Sequence, residues 1–246
     1  MSDLSTYNIY ALNERTAIIE LGNIIDQTLN NKVLAIQSWL TKHPFPGMKD
    51  LIPAYTSLTV LYDPFYINEA YSPEKGVFEF VKDKLLLACQ PAVMEEASEP
   101  RTISIPVCYE PSLGYDLKLV AAAKNLRIEE LIHLHCSATY RIYMLGFLPG
   151  FPYMGKVDER LVMPRKSVPR PEVEAGSVAI AGWQTGIYPV RSPGGWQVIG
   201  RTPFKLFDPF SEQPVVLSPG DNVRFFPISL AEFKSYENNQ HVDNHH

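Results

Sequence analysis

The chain has no basic excess. Its 22 lysines and arginines stand against 27 carboxylates, a formal net charge of −5, so no positive stripe is available for a nucleic-acid backbone. Long apolar runs are also missing: none approaches the ~20 residues that cross a bilayer, and no membrane partner is expected. The opening Met1-Ser-Asp-Leu-Ser-Thr6 carries neither a charged n-region nor an apolar h-region. No secretory signal is therefore expected, and the expected compartment is the cytoplasm. Cysteine is scarce, with Cys89, Cys108 and Cys136 odd in number, far apart and free of any CxxC pair. That pattern indicates neither a disulfide framework nor a zinc site. GxxxxGK[ST], GxSxG and HExxH do not occur, so there is no phosphate-cradling loop, nucleophile elbow or zincin helix.

What is present is organised around Tyr140-Arg-Ile-Tyr-Met-Leu-Gly-Phe-Leu-Pro-Gly-Phe-Pro-Tyr-Met-Gly155. Tyr140 to Phe147 has the aromatic and branched content of a buried strand. Leu148 to Gly155 is not expected to continue it, because Pro149 and Pro152 donate no ladder hydrogen bond. Gly150 and Gly155 permit tight turning. An apolar loop stiffened by proline suits a pocket wall or docking surface, and Phe147, Pro149, Gly150, Phe151, Pro152 and Tyr153 are its pocket-shaping candidates. A core loop with unusual turn chemistry is the competing reading.

The first half reads as α+β. Tyr7 to Leu12 and Thr16 to Leu21 form a hairpin. Asn23 is the expected cap of a helix with apolar Ile25, Leu29, Val33, Ile36 and Leu40. Ser57 to Tyr62 is a strand, and Ser72-Pro73-Glu74 has the chemistry of a second helix start. The result is a small α/β sandwich, a sheet with two helices, over residues 1–95. The acidic Glu95-Glu-Ala-Ser-Glu-Pro100 is the expected linker.

The second domain is expected over 101–237. It opens with a strand at Thr102 to Tyr109 and short helices at Asp116 to Asn125 and Ile128 to His135. Residues 146–220 then hold 10 of the 14 glycines and 11 of the 21 prolines. Short β-prone runs lie between these breaks: Ser177 to Ala181, Gly186 to Val190, Trp196 to Arg201, Val215 to Leu217 and Asn222 to Pro227. Many short strands with closely spaced turn signals imply a barrel or sandwich. Ser229 to Tyr236 reads as a terminal helix, and 238–246 as a disordered tail.

No candidate residue is a catalytic motif by itself. His133 and His135 are two apart and point to different faces of a helix, so they do not clamp a metal, and none is expected here. His135, beside the central stretch, is the candidate catalytic acid/base, against the alternative of a satisfied buried histidine. Pro164-Arg-Lys-Ser-Val-Pro-Arg170 concentrates Arg165 and Arg170 in an acidic protein, as a bidentate anion site would. Gly182-Trp-Gln-Thr-Gly-Ile-Tyr188 offers Gln184, Thr185 and Tyr188 to an amide or lactam, unless it is only a hairpin turn. Arg201 is a further candidate anion contact.

Across nearly its whole length the chain resembles the family that includes the 5-oxoprolinase B subunit, the kinase inhibitor KipI and allophanate hydrolase/urea carboxylase subunit 1. The resemblance rests on Pro44-Phe-Pro-Gly47, Pro53-Ala-Tyr-Thr-Ser57, Tyr62-Asp-Pro64, Ile105-Pro-Val-Cys-Tyr109 and Tyr143 to Gly155. It continues through Pro164-Arg165, Val168-Pro-Arg170, Ala175 to Gly182, Gln184-Thr-Gly-Ile-Tyr-Pro189, Ser192-Pro-Gly-Gly-Trp196, Ile199-Gly-Arg-Thr-Pro203, Leu206-Phe-Asp-Pro209 and Gly220-Asp221. It implies that the barrel is cyclophilin-like. It further implies an ATP-hydrolysing 5-oxoprolinase in which this chain, together with a homologous C subunit, phosphorylates 5-oxoproline. The A subunit then completes ring opening to glutamate, and this chain is inactive alone. Inhibition of a sensor histidine kinase, as by KipI, and urea carboxylation or allophanate chemistry are the alternatives it leaves. The sequence departs from the family pattern at Trp183, where glycine is usual, and an indole there is expected to narrow the pocket or shift a partner surface.

Overall fold

The computed structural model describes residues 7–94 and 100–243, so the acidic linker segment 95–99 lies outside the described residues. The chain divides into two compact units, Met1–Glu99 and Pro100–His246.

In the first unit, β1 (Asn8–Asn13), β2 (Thr16–Glu20), β3 (Met48–Pro53) and β4 (Ser57–Tyr62) form an antiparallel sheet of order β1-β2-β4-β3. Strict alternation along β2 and β4 sends Ala17, Ile19, Leu58, Val60 and Tyr62 to one face. Helix α1 (Gln27–Lys42) lays Val33, Ile36 and Leu40 into that core. Its cap is Asp26, accepting the Leu29 amide at 2.9 Å, and not Asn23. Elements not expected from sequence include the edge strand β3 and α2 (Pro64–Tyr71), where Asp63 accepts the Tyr66 amide and Pro64 occupies the first turn. The Asp63-Pro64 pair that reads as a strand stop is thus also a helix start. Ser72 closes α2 at a φ of 41°, so α3 (Val77–Ala88) begins later than the Ser72-Pro73 signal suggests. A short α4 (Pro91–Met94) follows.

The second unit is built on β5 (Thr102–Val107), α5 (Leu117–Ala123), α6 (Ile128–Ser137), β6 (Thr139–Leu145), β7 (Pro152–Gly155), β8 (Arg170–Val173), β9 (Ser177–Ala181), β10 (Gln184–Ile187), β11 (Ser192–Gly194), β12 (Gln197–Arg201), β13 (Asn222–Pro227) and α7 (Leu230–Asp243). Seven strands run in the order β12-β9-β10-β7-β6-β13-β5, with only β13 and β5 parallel. Cys108 and Arg201 exchange backbone hydrogen bonds at 2.8 and 3.0 Å, which ties the β5 end to β12 and closes the barrel. Closure removes both sheet edges. Inward residues such as Ile105, Ile142, Met154, Val178, Ile180, Ile187, Ile199 and Val223 fill it, joined by Leu117, Val120, Leu131 and Leu134 from α5 and α6.

The central stretch is a hairpin. Leu145 pairs with Pro152 and Ile142 with Met154, with a bulge between Ile142 and Met144. The expected break after Phe147 is therefore a turn that feeds β7, and Pro152 is tolerated because it is that strand's first residue. The Phe151 amide donates to Leu148 O at 3.0 Å across Pro149-Gly150, with Gly150 at φ 77°. This is a type II turn, with proline and glycine in the places it requires. The ribbon β8–β11 was also unforeseen, since Pro171 and Pro193 mask its strand character. Helix α7 starts at a reciprocal cap, the Ser229 amide donating to Glu232 Oε2 at 2.7 Å and the Glu232 amide to Ser229 Oγ at 3.2 Å. It continues through Asp243, where a disordered tail from 238 was expected; 244–246 lie outside the described residues.

Candidate functional site

Small residues make the site's floor. Ala179 and Ala181 on β9 and Gly186 on β10 face outward from the barrel, and Phe151 lies over them in a second hydrophobic cluster with Val173, Tyr188, Trp196 and Val198. A Cβ on Gly186 would stand 2.9 Å from Phe151 Cζ, so this glycine is required by packing. Gly194 plays the same part under Tyr188, where a Cβ would approach the ring Cε1 to 2.7 Å. Phe151 meets Phe147, Tyr153, Tyr188 and Trp196 edge-on at centroid distances of 5.7, 4.9, 5.3 and 5.4 Å, the favoured geometry for aromatic quadrupoles. Phe147 is 64% exposed at the rim. The central stretch therefore supplies the aromatic wall of a surface that the β8–β11 ribbon borders.

Cations rim this wall. The Arg165 guanidinium lies over the Trp196 ring at 5.8 Å and that of Arg170 over Tyr115 at 5.5 Å. Sequence reasoning missed the group that organises them, Asp116. Its buried carboxylate accepts Arg170 Nη1 and Nη2, each at 2.7 Å, Lys166 Nζ at 3.0 Å and the Val198 amide at 2.8 Å. Burial pushes its pKa up, but the Arg170 fork, the Val198 amide and Lys166 outweigh it, and the carboxyl lies below its ordinary value. In sequence Asp116 reads only as the start of a helix; its pairing with residues 50 and 54 positions away leaves no local signal. Burial is the main cause of the raised Tyr188 hydroxyl pKa.

The other candidates lie elsewhere. His135 is fully buried, Nδ1 at 2.7 Å from Tyr109 Oη and Nε2 at 3.0 Å from Thr185 Oγ1. Thr185 donates to Ala179 O at 3.1 Å. Its hydroxyl proton is thus engaged, so Nε2 carries the histidine proton and Nδ1 accepts from Tyr109. Burial pushes the imidazole pKa down to about 3, and its ring stacks on Phe225 at 4.7 Å. This is the satisfied core histidine of the two readings, and Thr185 belongs to the same interior network rather than to the aromatic face. Arg201 donates from Nε to Ala175 O at 2.8 Å and lies over Phe233 at 5.9 Å. It is thereby occupied away from Arg165 and Arg170. Gln184, half-buried, pairs through its backbone with Ala181 and Gly155. Between Ala181 and Gln184, Gly182 at φ 57° takes the first turn position, so Trp183 needs no left-handed backbone. The indole is 49% exposed at the hairpin tip. Among the described residues no group of three or more His, Cys, Asp or Glu is placed to hold a metal, and no helix is long and apolar enough to cross a membrane.

Residues 7–217 match the family described as carboxyltransferase domain, subdomain C and D. The chain belongs to this family. The likeness extends to relatives of the same length. The chain is 41% identical over 233 residues to the 5-oxoprolinase B subunit of Bacillus subtilis, covering 94% of this chain and 97% of that one. It is 37% identical over 220 residues to the 5-oxoprolinase B subunit of Escherichia coli O157:H7, covering 89% and 94%. The solved structure of TTHA0988 superposes with a TM-score of 0.73 at 37% identity, over 87% of this chain and 40% of that one. This chain thus spans less than half of the TTHA0988 chain. Within the carboxyltransferase-domain family, then, this chain is of the 5-oxoprolinase B type, with the barrel and its aromatic-cationic face contained in it.

Proposed function

We propose that this chain is the B subunit of an ATP-dependent 5-oxoprolinase, acting in the cytoplasm with a homologous C subunit and with the A subunit. The observation that carries the reading is the 41% identity to a 5-oxoprolinase B subunit over nearly the full length of both chains. The reaction consumes 5-oxoproline, ATP and two waters and yields glutamate, ADP and phosphate. The γ-phosphoryl group passes to the lactam oxygen and ADP leaves. Water then adds to the activated ring carbon, the ring C–N bond of the tetrahedral adduct breaks as its nitrogen takes up a proton, and a second water releases phosphate from the resulting γ-glutamyl phosphate to leave glutamate.

Both reactants are anions, and the geometry supports a binding rather than a proton-transfer role for this chain. Among the described residues Arg165 is exposed and has no carboxylate partner, so it is the contact for the carboxylate or phosphoryl oxygens. Arg170 acts through its carboxylate pair. Tyr153, backed by the buried Tyr188 and Trp196, offers the apolar wall against which a flat lactam ring packs, and Gln184 remains the contact for the lactam amide. His135 and Thr185 support the barrel from inside, and Arg201 stabilises the β9 turn. The partner completes the ATP site, since this chain carries no phosphate loop of its own, and the chain is inactive alone. Reconstitution with the C and A subunits, followed by measurement of glutamate formed from 5-oxoproline, tests the reading; glutamate formation that is unchanged when this chain is omitted rejects it.

A further inference from the structure

We infer that Asp116 is a positioning residue that determines which cation of the 164–170 segment meets the substrate's anionic group, engaging Lys166 and Arg170 so that Arg165 is the one presented. The inference rests on the reading of this face as the anion-binding part of a 5-oxoprolinase.

The carboxylate is anchored before it meets any cation. The Asp116 amide donates to Val198 O and the Val198 amide returns to Asp116 Oδ2, both at 2.8 Å, while the Val120 amide donates to Asp116 O at 2.8 Å. Asp116 is thus fixed to β12 on one side and to the first turn of α5 on the other. From this point it takes both terminal nitrogens of Arg170. The planar fork of an arginine serves one carboxylate or phosphate at a time, so Arg170 cannot offer the same fork to a ligand. Lys166 shares Oδ1.

Arg165 stands between two tied neighbours. Pro164 O accepts Gln197 Nε2 at 3.0 Å, and the Lys166 amide donates to Gly195 O at 2.7 Å. Residues 164 and 166 are therefore held to 197 and 195, which flank Trp196, the ring under the Arg165 guanidinium. The same short segment, through Val198, holds Asp116. Loop, ring and carboxylate form one frame, in which the side chains of residues 166 and 170 turn inward to Asp116 and that of 165 turns outward over Trp196. Removing the carboxylate frees two cations and loosens the frame that orients the third.

The test is a double-mutant cycle in the reconstituted complex, with kcat and KM for 5-oxoproline measured for wild type, Asp116→Asn, Arg165→Ala and the double variant. Asp116→Asn is expected to raise KM about tenfold with kcat changed less than about threefold, and its penalty is expected to vanish in the Arg165→Ala background. Additive penalties, or a fall in kcat at unchanged KM, overturn the inference. Arg170→Lys keeps the charge without the fork and is expected to reproduce the KM rise, so the prediction stands even where Asp116→Asn fails to fold. A separate readout needs no turnover: 15N NMR of the isolated full-length chain is expected to show slow guanidinium rotation for Arg170. Free rotation in wild type overturns the positioning proposal whatever the activity. Slow rotation with no 5-oxoproline-dependent turnover in the wild-type complex instead overturns the functional reading.

Discussion

Asp116 and Arg170 face each other through two hydrogen bonds of 2.7 Å, with Asp116 1% exposed and the Arg170 side chain 24% exposed. This pair links the barrel's core to its outer surface.

Breaking it from the acidic side strands two cations. Asp116→Ala is expected to lower the unfolding free energy by about 3 kcal/mol, as removal of one partner of a buried pair does. The cost also has a pH signature. The folded pKa lies below the ordinary carboxylate value of 3.8, so the carboxylate's contribution is complete above that value and is lost as pH falls through the lower folded value. Urea titrations at pH 7 and at pH 3 check both statements; the gap between wild type and Asp116→Ala should narrow in acid.

His135 gives a second and wider pH window. Its imidazole, at about 3 when folded and 6.5 when unfolded, is neutral in the native state. The unfolded chain binds the extra proton, so stability is full above about pH 6.5 and declines towards pH 3, by roughly 1.4 kcal/mol per pH unit at most. His135→Gln should lack this slope. The pH profile of kcat/KM should show no limb that disappears in this variant, since the ring is fully buried and bonded to Tyr109 and Thr185.

Packing at the aromatic wall is tested by Gly194→Ala. The added methyl meets the Tyr188 ring, and the backbone around it is tied to β8. Overpacking of this kind costs about 1–3 kcal/mol, which for a chain of this size is a fall in Tm of roughly 2–10 °C. Gly76→Ala, where nothing lies within 4 Å, is the contrast; its penalty comes only from the positive φ of 91°.

Trp183→Gly restores the residue usual in the resembling family. The tip position needs no positive φ and the indole is half exposed, so unfolding should change by less than about 1 kcal/mol. Calorimetry checks this, and a larger loss would place the indole in the fold rather than on its surface.

These outcomes follow the line between what sequence carries and what it does not. The hairpin of β1 and β2, the stripe of Val33, Ile36 and Leu40, and the continuous β-prone run of β9 at Ser177–Ala181 were legible because their signals are local. The strands β7, β8 and β11 were not, because Pro152, Pro171 and Pro193 sit where only a first residue or an edge permits proline, and sequence does not say which strand lies at an edge. Pro149, Gly150, Arg165 and Tyr188 were legible as candidates. Their common organiser was not, since the partners of Asp116 are brought to it only by barrel closure. His135 and Thr185 were candidates because one borders the central stretch and the other lies between glycines, yet the barrel turns both side chains inward.

The central claim is that this chain contributes the anion-binding face of a 5-oxoprolinase. ADP release by the chain co-purified with its homologous C subunit, measured with and without 5-oxoproline, tests it most directly. The expected result is ADP release that depends on 5-oxoproline, is absent for either chain alone, and falls at least tenfold in kcat/KM, about 1.4 kcal/mol, with Arg165→Ala. A complex whose ADP release is the same with and without 5-oxoproline would contradict it.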